Sequence, residues 1–308
     1  MNRARLLVSV PSARLREALG EVPEGVEVVE WDMSGPSPLD EIDIVVPPYT
    51  ATVSPLAQLT TIKTRLVQSQ SDGYDGVERL LPPGHVFANA ASVHESVTSE
   101  LALALILASQ RGIPDFVRAA MEGRWAPAPH PGLADHSVLL VGYGGVGKAI
   151  EARLLAFETT IVRVARTARV GEHGAIHATE SLPTLLPDAD IVVVSVPLTE
   201  ATTRLIDDAF LSRMRDDSLL VNIARGPVAD TEALVKHARS GRLRLALDVT
   251  DPEPLPDGHA LFGLANVLIS PHVGGMTRAM MPRMARLLHE QIARMLRGDD
   301  PLNVVLRS

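Results

Sequence analysis

The chain contains no cysteine in its 308 residues, which excludes disulfides, thiolate metal sites and a cysteine nucleophile. It also lacks a surplus of positive charge. Its 29 basic and 37 acidic side chains give a formal net charge of −8, so no global field draws it to nucleic acid or an anionic membrane. An anionic ligand must therefore be held by a local cationic site. Long hydrophobic runs are missing too: the longest, residues 101–108, is far too short to span a bilayer. The apolar stretch at residues 6–10 stops at Pro11 and lacks the length and cleavage site of a secretory signal, so a cytoplasmic location is expected. There is no internal repeat or low-complexity tract, and the ten histidines show no spacing suited to a metal. No nucleic-acid, membrane or metal partner is expected.

What is present is enough apolar material for a buried core, 46% of residues with 21% charged, in a length that suits two compact units. Short apolar strands alternate with helical patterns, as βαβ units and a parallel sheet require. Strands are expected at residues 5–10, 26–31, 43–46 and 65–70, with a helix at 12–19. A long Ala- and Leu-rich helix covers 92–110. Further strands follow at 137–141, 160–165, 190–194, 218–223, 243–248 and 267–270, with helices at 146–157 and 231–240 among them and a last amphipathic helix at 278–296. If that last helix packs on the first unit, the first unit is discontinuous and a cleft lies between the two.

The sharpest local signal is Gly142-Tyr143-Gly144-Gly145-Val146-Gly147 between an apolar strand and a helical pattern. Gly142 allows a tight turn, Gly144 lets backbone approach a pyrophosphate, and Gly147 permits close helix–strand packing. The helix start then offers unpaired N–H groups and a positive dipole end to phosphates. An NAD site usually has an acid about 20 residues on, at the end of the next strand. Here Ala165 holds that place, followed by Arg166, Thr167 and Arg169. A carboxylate would repel a 2′-phosphate, whereas guanidinium groups grip one. NADP(H) is therefore expected in preference to NAD(H), which remains the alternative.

Three segments end at or just past strands of the second unit, the edge where open α/β sheets bind ligands. They carry Arg225, Glu253 and His272. Arg225 could bind an α-keto carboxylate and polarise the adjacent carbonyl. His272 could exchange a proton with the carbonyl oxygen. Glu253 could orient His272 and favour its protonated form.

These segments resemble the D-isomer-specific 2-hydroxyacid dehydrogenases over nearly the whole chain. The resemblance rests on the glycine loop, Ser195-Val196-Pro197-Leu198-Thr199 with Thr202, Asn222-Ile223-Ala224-Arg225-Gly226, Asp248-Val249 followed by Glu253-Pro254, and Pro271-His272-Val273-Gly274-Gly275. It implies an α/β fold of two Rossmann-like/flavodoxin-like doubly wound parallel-sheet domains with a cleft between them. Residues 1–91 and 279–308 would form the substrate-binding domain, and 92–278 the dinucleotide-binding domain. It implies Arg225 as the substrate-binding arginine, Glu253 as the partner acid and His272 as the acid/base. Cofactor contacts are implied at Gly145, Val146, Val196, Pro197, Thr202, Ile223, Ala224, Asp248, His272 and Gly274, with Asp248 near the nicotinamide amide.

In the first unit, Ser69-Gln70-Ser71-Asp72-Gly73-Tyr74-Asp75 looks like the family's substrate-carboxylate loop. Backbone N–H groups near Asp72 and Gly73 could form an anion-holding nest. Relatives commonly have small neutral residues in the place of Asp72, whose acid should repel a carboxylate unless it turns away. Tyr49 is a candidate lining residue where many relatives use a basic one. The expected reaction is hydride transfer between NADP(H) and C2 of a small 2-keto/2-hydroxy acid, as in glyoxylate and hydroxypyruvate reductases. A phosphite dehydrogenase and a nucleotide-sensing corepressor are the alternatives. Formate enzymes generally carry glutamine in the place of Glu253. The helix at 92–110 is richer in Leu and Ala than one buried face requires, and relatives associate through their cofactor domains, so a homodimer through that domain is expected.

Overall fold

A computed structural model describes residues 5–49 and 54–308. The chain begins with strand β1 (Leu6–Val10) and helix α1 (Ala13–Leu19). Ser12 starts α1 by accepting a hydrogen bond from the Leu15 N–H, and Gly20 ends it. Strands β2 (Val26–Glu30), β3 (Ile44–Val45), β4 (Leu66–Gln68) and β5 (Val86–Ala88) follow. Next come α2 (Glu95–Gln110), α3 (Ile113–Met121), β6 (Ser137–Val141), α4 (Gly145–Leu154), β7 (Thr160–Ala165), β8 (Arg169–Gly171), β9 (Gly174–Ala178) and α5 (Leu182–Leu185). The pattern continues through β10 (Ile191–Val194), α6 (Asp208–Arg213), β11 (Leu219–Asn222), α7 (Thr231–Arg239), β12 (Arg244–Leu247) and β13 (Val267–Ile269). It closes with α8 (Met280–Arg297) and β14 (Val304–Arg307).

The chain divides into two packed units, Met1–His94 with Met276–Ser308, and Glu95–Gly275. In the first, the sheet order is β14-β5-β4-β3-β1-β2, parallel except for β14. Reading from β2, the order 2-1-3-4-5 is that of a flavodoxin-like doubly wound sheet, whose reversal point lies between β1 and β3. One face packs on α1 and on the Met280, Met284, Leu288 and Ile292 stripe of α8. The other buries Trp31, Leu56, Leu59 and Val67.

In the second unit the order is β13-β12-β11-β10-β6-β7-β9-β8, with only β8 antiparallel. Counted from β6, this is the Rossmann order, and it reverses between β6 and β10. Its strands are apolar on both faces, as a covered parallel sheet demands. Leu139, Val192 and Leu220 face one core, and Leu140, Val193 and Val221 the other. No helix among the described residues is long and apolar enough to cross a membrane.

The differences from the sequence expectation have local causes. Helix α2 starts at Glu95 rather than residue 92, because Ser92 sits at φ +77°, outside helical space. Helix α3 was not expected from the sequence; Pro114 stands in its first turn, a favourable helix start. Strands β5 and β8 are three residues each, too short to show a period. Helix α2 spends its apolar surplus inside its own unit, with Ala102, Leu103, Leu105 and Ile106 buried. Several exposed apolar side chains lie on α3 and just past it: Ile113, Val117, Met121 and Trp125, the last 96% exposed.

Candidate functional site

The glycine loop lies at the reversal point of the second sheet. Gly142 follows β6 with φ +104°, and a Cβ there would meet the Ser195 backbone, just past β10, at 2.7 Å. A Cβ on Gly147 would lie 2.2 Å from the Gly142 carbonyl oxygen. Glycine at these two positions lets the turn close between strands and brings the start of α4 against it. Gly144 caps α4 without a side-chain bond, so the first N–H groups of the helix point to whatever anion lies there. Gly145 and Val146 form its first turn.

Tyr143 turns inward from this loop. Its hydroxyl donates to Glu151 of α4, whose carboxylate also pairs with Arg163 of β7. Burial, reinforced by Glu151 and opposed by Arg163, raises the Tyr143 phenol above its ordinary range. Arg169, the first residue of β8, donates to the Tyr143 carbonyl at 3.3 Å and to the Thr167 carbonyl at 3.3 Å. The exposed Arg166, Thr167 and Arg169 thus follow β7 with Arg169 drawn against the glycine loop. No carboxylate stands at the end of β7, where Ala165 closes the strand.

After β10, Thr202 folds the segment that begins with Val196 and Pro197. Its hydroxyl donates to the Pro197 carbonyl at 2.6 Å and accepts from the Thr199 N–H at 2.8 Å. After β11, the Asn222 side-chain oxygen accepts from the Ala224 N–H at 3.0 Å, turning the chain so that Ile223 and Ala224 are buried. Arg225 donates to the Ala224 carbonyl at 2.6 Å. A Cβ on Gly226 would collide with the Thr250 carbonyl at 1.8 Å, so the Arg225 loop lies directly on the loop that carries Glu253.

Asp248, 3% exposed at the end of β12, accepts from the Ser270 hydroxyl (2.6 Å), the Val273 N–H (2.9 Å) and the Gly274 N–H (3.0 Å). These bonds pin the loop after β13 that presents His272. The His272 backbone is left-handed, φ +51°, and its N–H donates to the Asp248 carbonyl at 2.8 Å. Such a conformation in a non-glycine residue is unusual, and here the surrounding bonds impose it. The His272 Nδ1 lies 2.5 Å from Glu253 Oε1, with both side chains partly exposed. The segments bearing Arg225, Glu253 and His272 therefore leave neighbouring strands on one edge of one sheet.

The first unit is separate. The 69–74 loop leaves β4, and the Asn89 side chain donates to both the Asp72 carbonyl (2.8 Å) and its carboxylate (3.1 Å). The acid is thus taken up by an amide within the unit. In a planar trans peptide the N–H opposes the C=O, so the Gly73 N–H points away from Asn89. Tyr49 follows β3 at the reversal point of this sheet, stacked on His94. Sequence reasoning overlooked Asn89 and His94 and gave the Gln70 side chain no role, yet all three organise this region through partners distant in the chain.

Residues 103–274 match the family model of the D-isomer specific 2-hydroxyacid dehydrogenase, NAD binding domain. The chain is 33% identical over 258 residues to a glyoxylate reductase of Pyrococcus horikoshii, covering 80% of this chain and 77% of that one. Among solved structures it is similar to a D-isomer specific 2-hydroxyacid dehydrogenase from Xanthobacter autotrophicus Py2 in complex with NADPH and MES, with TM-score 0.81, 28% identity and coverage of 97% and 98%. It is likewise similar to an NADPH-dependent glyoxylate/hydroxypyruvate reductase from Sinorhizobium meliloti in complex with NADP and malonate, with TM-score 0.80, 28% identity and coverage of 99% and 98%. Glycine loop, strand-end residues, sheet order and relatives agree: the chain belongs to the D-isomer-specific 2-hydroxyacid dehydrogenases, NAD(P)-dependent oxidoreductases.

Proposed function

We propose that the protein transfers hydride reversibly between NADP(H), in preference to NAD(H), and C2 of a small 2-keto/2-hydroxy acid of the glyoxylate or hydroxypyruvate kind. The observation that carries this reading is the His272–Glu253 pair, 2.5 Å apart, held on the same sheet edge as the glycine loop. The relatives named above as glyoxylate or glyoxylate/hydroxypyruvate reductases support the substrate class. A cytoplasmic homodimer is part of the same reading, joined through the Glu95–Gly275 unit by the exposed apolar side chains of α3.

The residues present fit a dinucleotide. Added Cβ atoms at Gly142 and Gly147 would fill the turn, and arginines rather than an acid follow β7. When bound, the nicotinamide supplies the hydride for reduction and accepts it in oxidation. Gly142, Gly144, Gly145, Val146 and Gly147 form the cofactor's phosphate cradle. Arg166, Thr167 and Arg169 bind the 2′-phosphate, and Val196, Pro197, Thr202, Ile223, Ala224, Asp248, His272 and Gly274 line the rest.

Arg225 holds the substrate carboxylate and draws electron density toward the keto oxygen. As C2 gains hydride, the C=O π bond breaks and His272 Nε2 gives its proton to the oxygen. The ring afterwards recovers a proton from water. Glu253 accepts from Nδ1–H, which fixes the ring's orientation. Within the first unit, the Gly73 N–H, the Asp72 backbone and Tyr49 are the candidate substrate-binding groups. Assays of a 2-keto acid panel with NADPH and with NADH test this reading. The expected result is turnover of glyoxylate or hydroxypyruvate at a much lower KM for NADPH. Failure to reduce any 2-keto acid would overturn it.

A further inference from the structure

We propose that His94 is a positioning residue that sets both the affinity for the substrate carboxylate and the size of the 2-keto acid accepted. The inference rests on the reading of residues 69–74 as the carboxylate loop. His94 is the last residue of the first unit, 5% exposed. Its Nε2 lies 2.6 Å from the Gln70 carbonyl oxygen. A carbonyl only accepts, so Nε2 carries the hydrogen. Nδ1 is then a bare acceptor, buried and without a partner. Burying an unmatched acceptor works against stability, and an apolar ring of similar size would avoid that cost. A histidine here therefore serves something other than packing.

Its contacts say what. Through Nε2 the ring holds the peptide between Gln70 and Ser71, whose N–H is bonded at 2.9 Å to the Ser69 hydroxyl. Both ends of that peptide are thereby fixed two residues before Gly73. Through its face the same ring stacks on Tyr49, with centroids 5.7 Å apart and planes inclined by 27°. The Gln70 side chain, 3% exposed, donates to the Pro47 carbonyl at 2.8 Å and ties the two loops together. One imidazole thus orients the peptide that leads into the proposed anion seat and the aromatic ring proposed to bound it. Its edge governs the carboxylate, and its face governs the room left for the substrate's side chain.

The two roles separate by substitution. His94→Phe keeps a face for Tyr49 and loses the donor, whereas His94→Gln keeps a donor and loses the face. Steady-state kinetics are measured with glyoxylate and with a bulkier acid, phenylpyruvate, alongside the Kd for NADPH. For His94→Phe the KM for glyoxylate is expected to rise about tenfold, in keeping with one lost hydrogen bond at a positioning site, with kcat/KM selectivity retained. For His94→Gln the KM for glyoxylate stays near the parent value, and selectivity shifts about fivefold or more toward phenylpyruvate. A selectivity ratio counts folded enzyme only, so partial unfolding does not move it. An unchanged KM for glyoxylate in His94→Phe, or an unchanged selectivity in His94→Gln, would overturn the proposal. Asn89→Leu, which releases the Asp72 carbonyl, separates it from the parent reading. If Asn89→Leu raises the KM for glyoxylate and the His94 variants do not, the carboxylate loop stands and His94's role falls. If Asn89→Leu leaves that KM unchanged, the loop assignment falls, and this proposal with it.

Discussion

Nδ1 of His272 and Oε1 of Glu253 lie 2.5 Å apart, although 19 residues separate them in the chain. Both loops are anchored at the segment after β12, His272 through Asp248 and Glu253 through the Thr250 backbone that Gly226 abuts. Glu253→Gln should therefore leave the fold and the Kd for NADPH intact while removing the carboxylate that orients the His272 ring. Reductive kcat is expected to fall about tenfold to a hundredfold, within the range of general acid–base effects. Unaltered kcat in the variant would remove Glu253 from the mechanism.

The proposed preference for NADP(H) rests on the residues after β7. Arg169 leans on the glycine loop through the Tyr143 carbonyl, and Arg166 and Thr167 stand exposed beside it. Replacing Arg166 and Arg169 together with alanine should raise the KM for NADPH about tenfold or more, since charge-assisted bonds contribute roughly 1.5–3 kcal/mol each. The KM for NADH should change little. An equal rise for both cofactors would show that the arginines bind something shared by the two.

Acid stability should report Asp208. Lys236 and His237 both donate to its carboxylate, and these bonds lower its pKa from the ordinary 3.8. A carboxyl whose pKa is lower in the folded state stabilises the fold above its unfolded value and loses that contribution as pH falls through the folded one. Asp208→Asn should accordingly lower Tm at neutral pH, and the two Tm curves should converge below about pH 4. A Tm gap that persists at lower pH would assign the effect to packing.

The proposed homodimer should depend on α3. Val117 is 54% and Met121 85% exposed on a helix whose only charged residues are Asp115 and Arg118. Val117→Glu with Met121→Glu should produce a monomer in light scattering at concentrations where the parent chain dimerises. A double variant that remains dimeric would place the interface elsewhere.

Much of this was legible because local chemistry dictated it. Gly142 is demanded by a left-handed turn squeezed against Ser195, and such demands survive in sequence as glycines at fixed offsets. Strands β6, β10 and β11 announced themselves because a sheet covered on both faces is apolar throughout. Arg225, Glu253 and His272 could be read because each follows a strand. Other roles depend on partners that only the fold brings close. Asn89 answers the acid of Asp72, and His94 meets Tyr49, yet neither pairing leaves a spacing to recognise. The β8–β9 hairpin was within reach, since Gly171 and Gly174 bracket two residues in the manner of a tight turn. Asp248 has a scaffold role in the Ser270–Gly274 bonds that its place after β12 did not disclose.

The central claim is that His272 delivers the proton that accompanies hydride transfer. Single-turnover stopped-flow measurement of NADPH oxidation by glyoxylate, comparing the parent enzyme with His272→Asn, tests it without interference from product release. The expected result is an unchanged Kd for NADPH and a transfer rate lower by about a hundredfold or more. A transfer rate equal to the parent's would contradict the account.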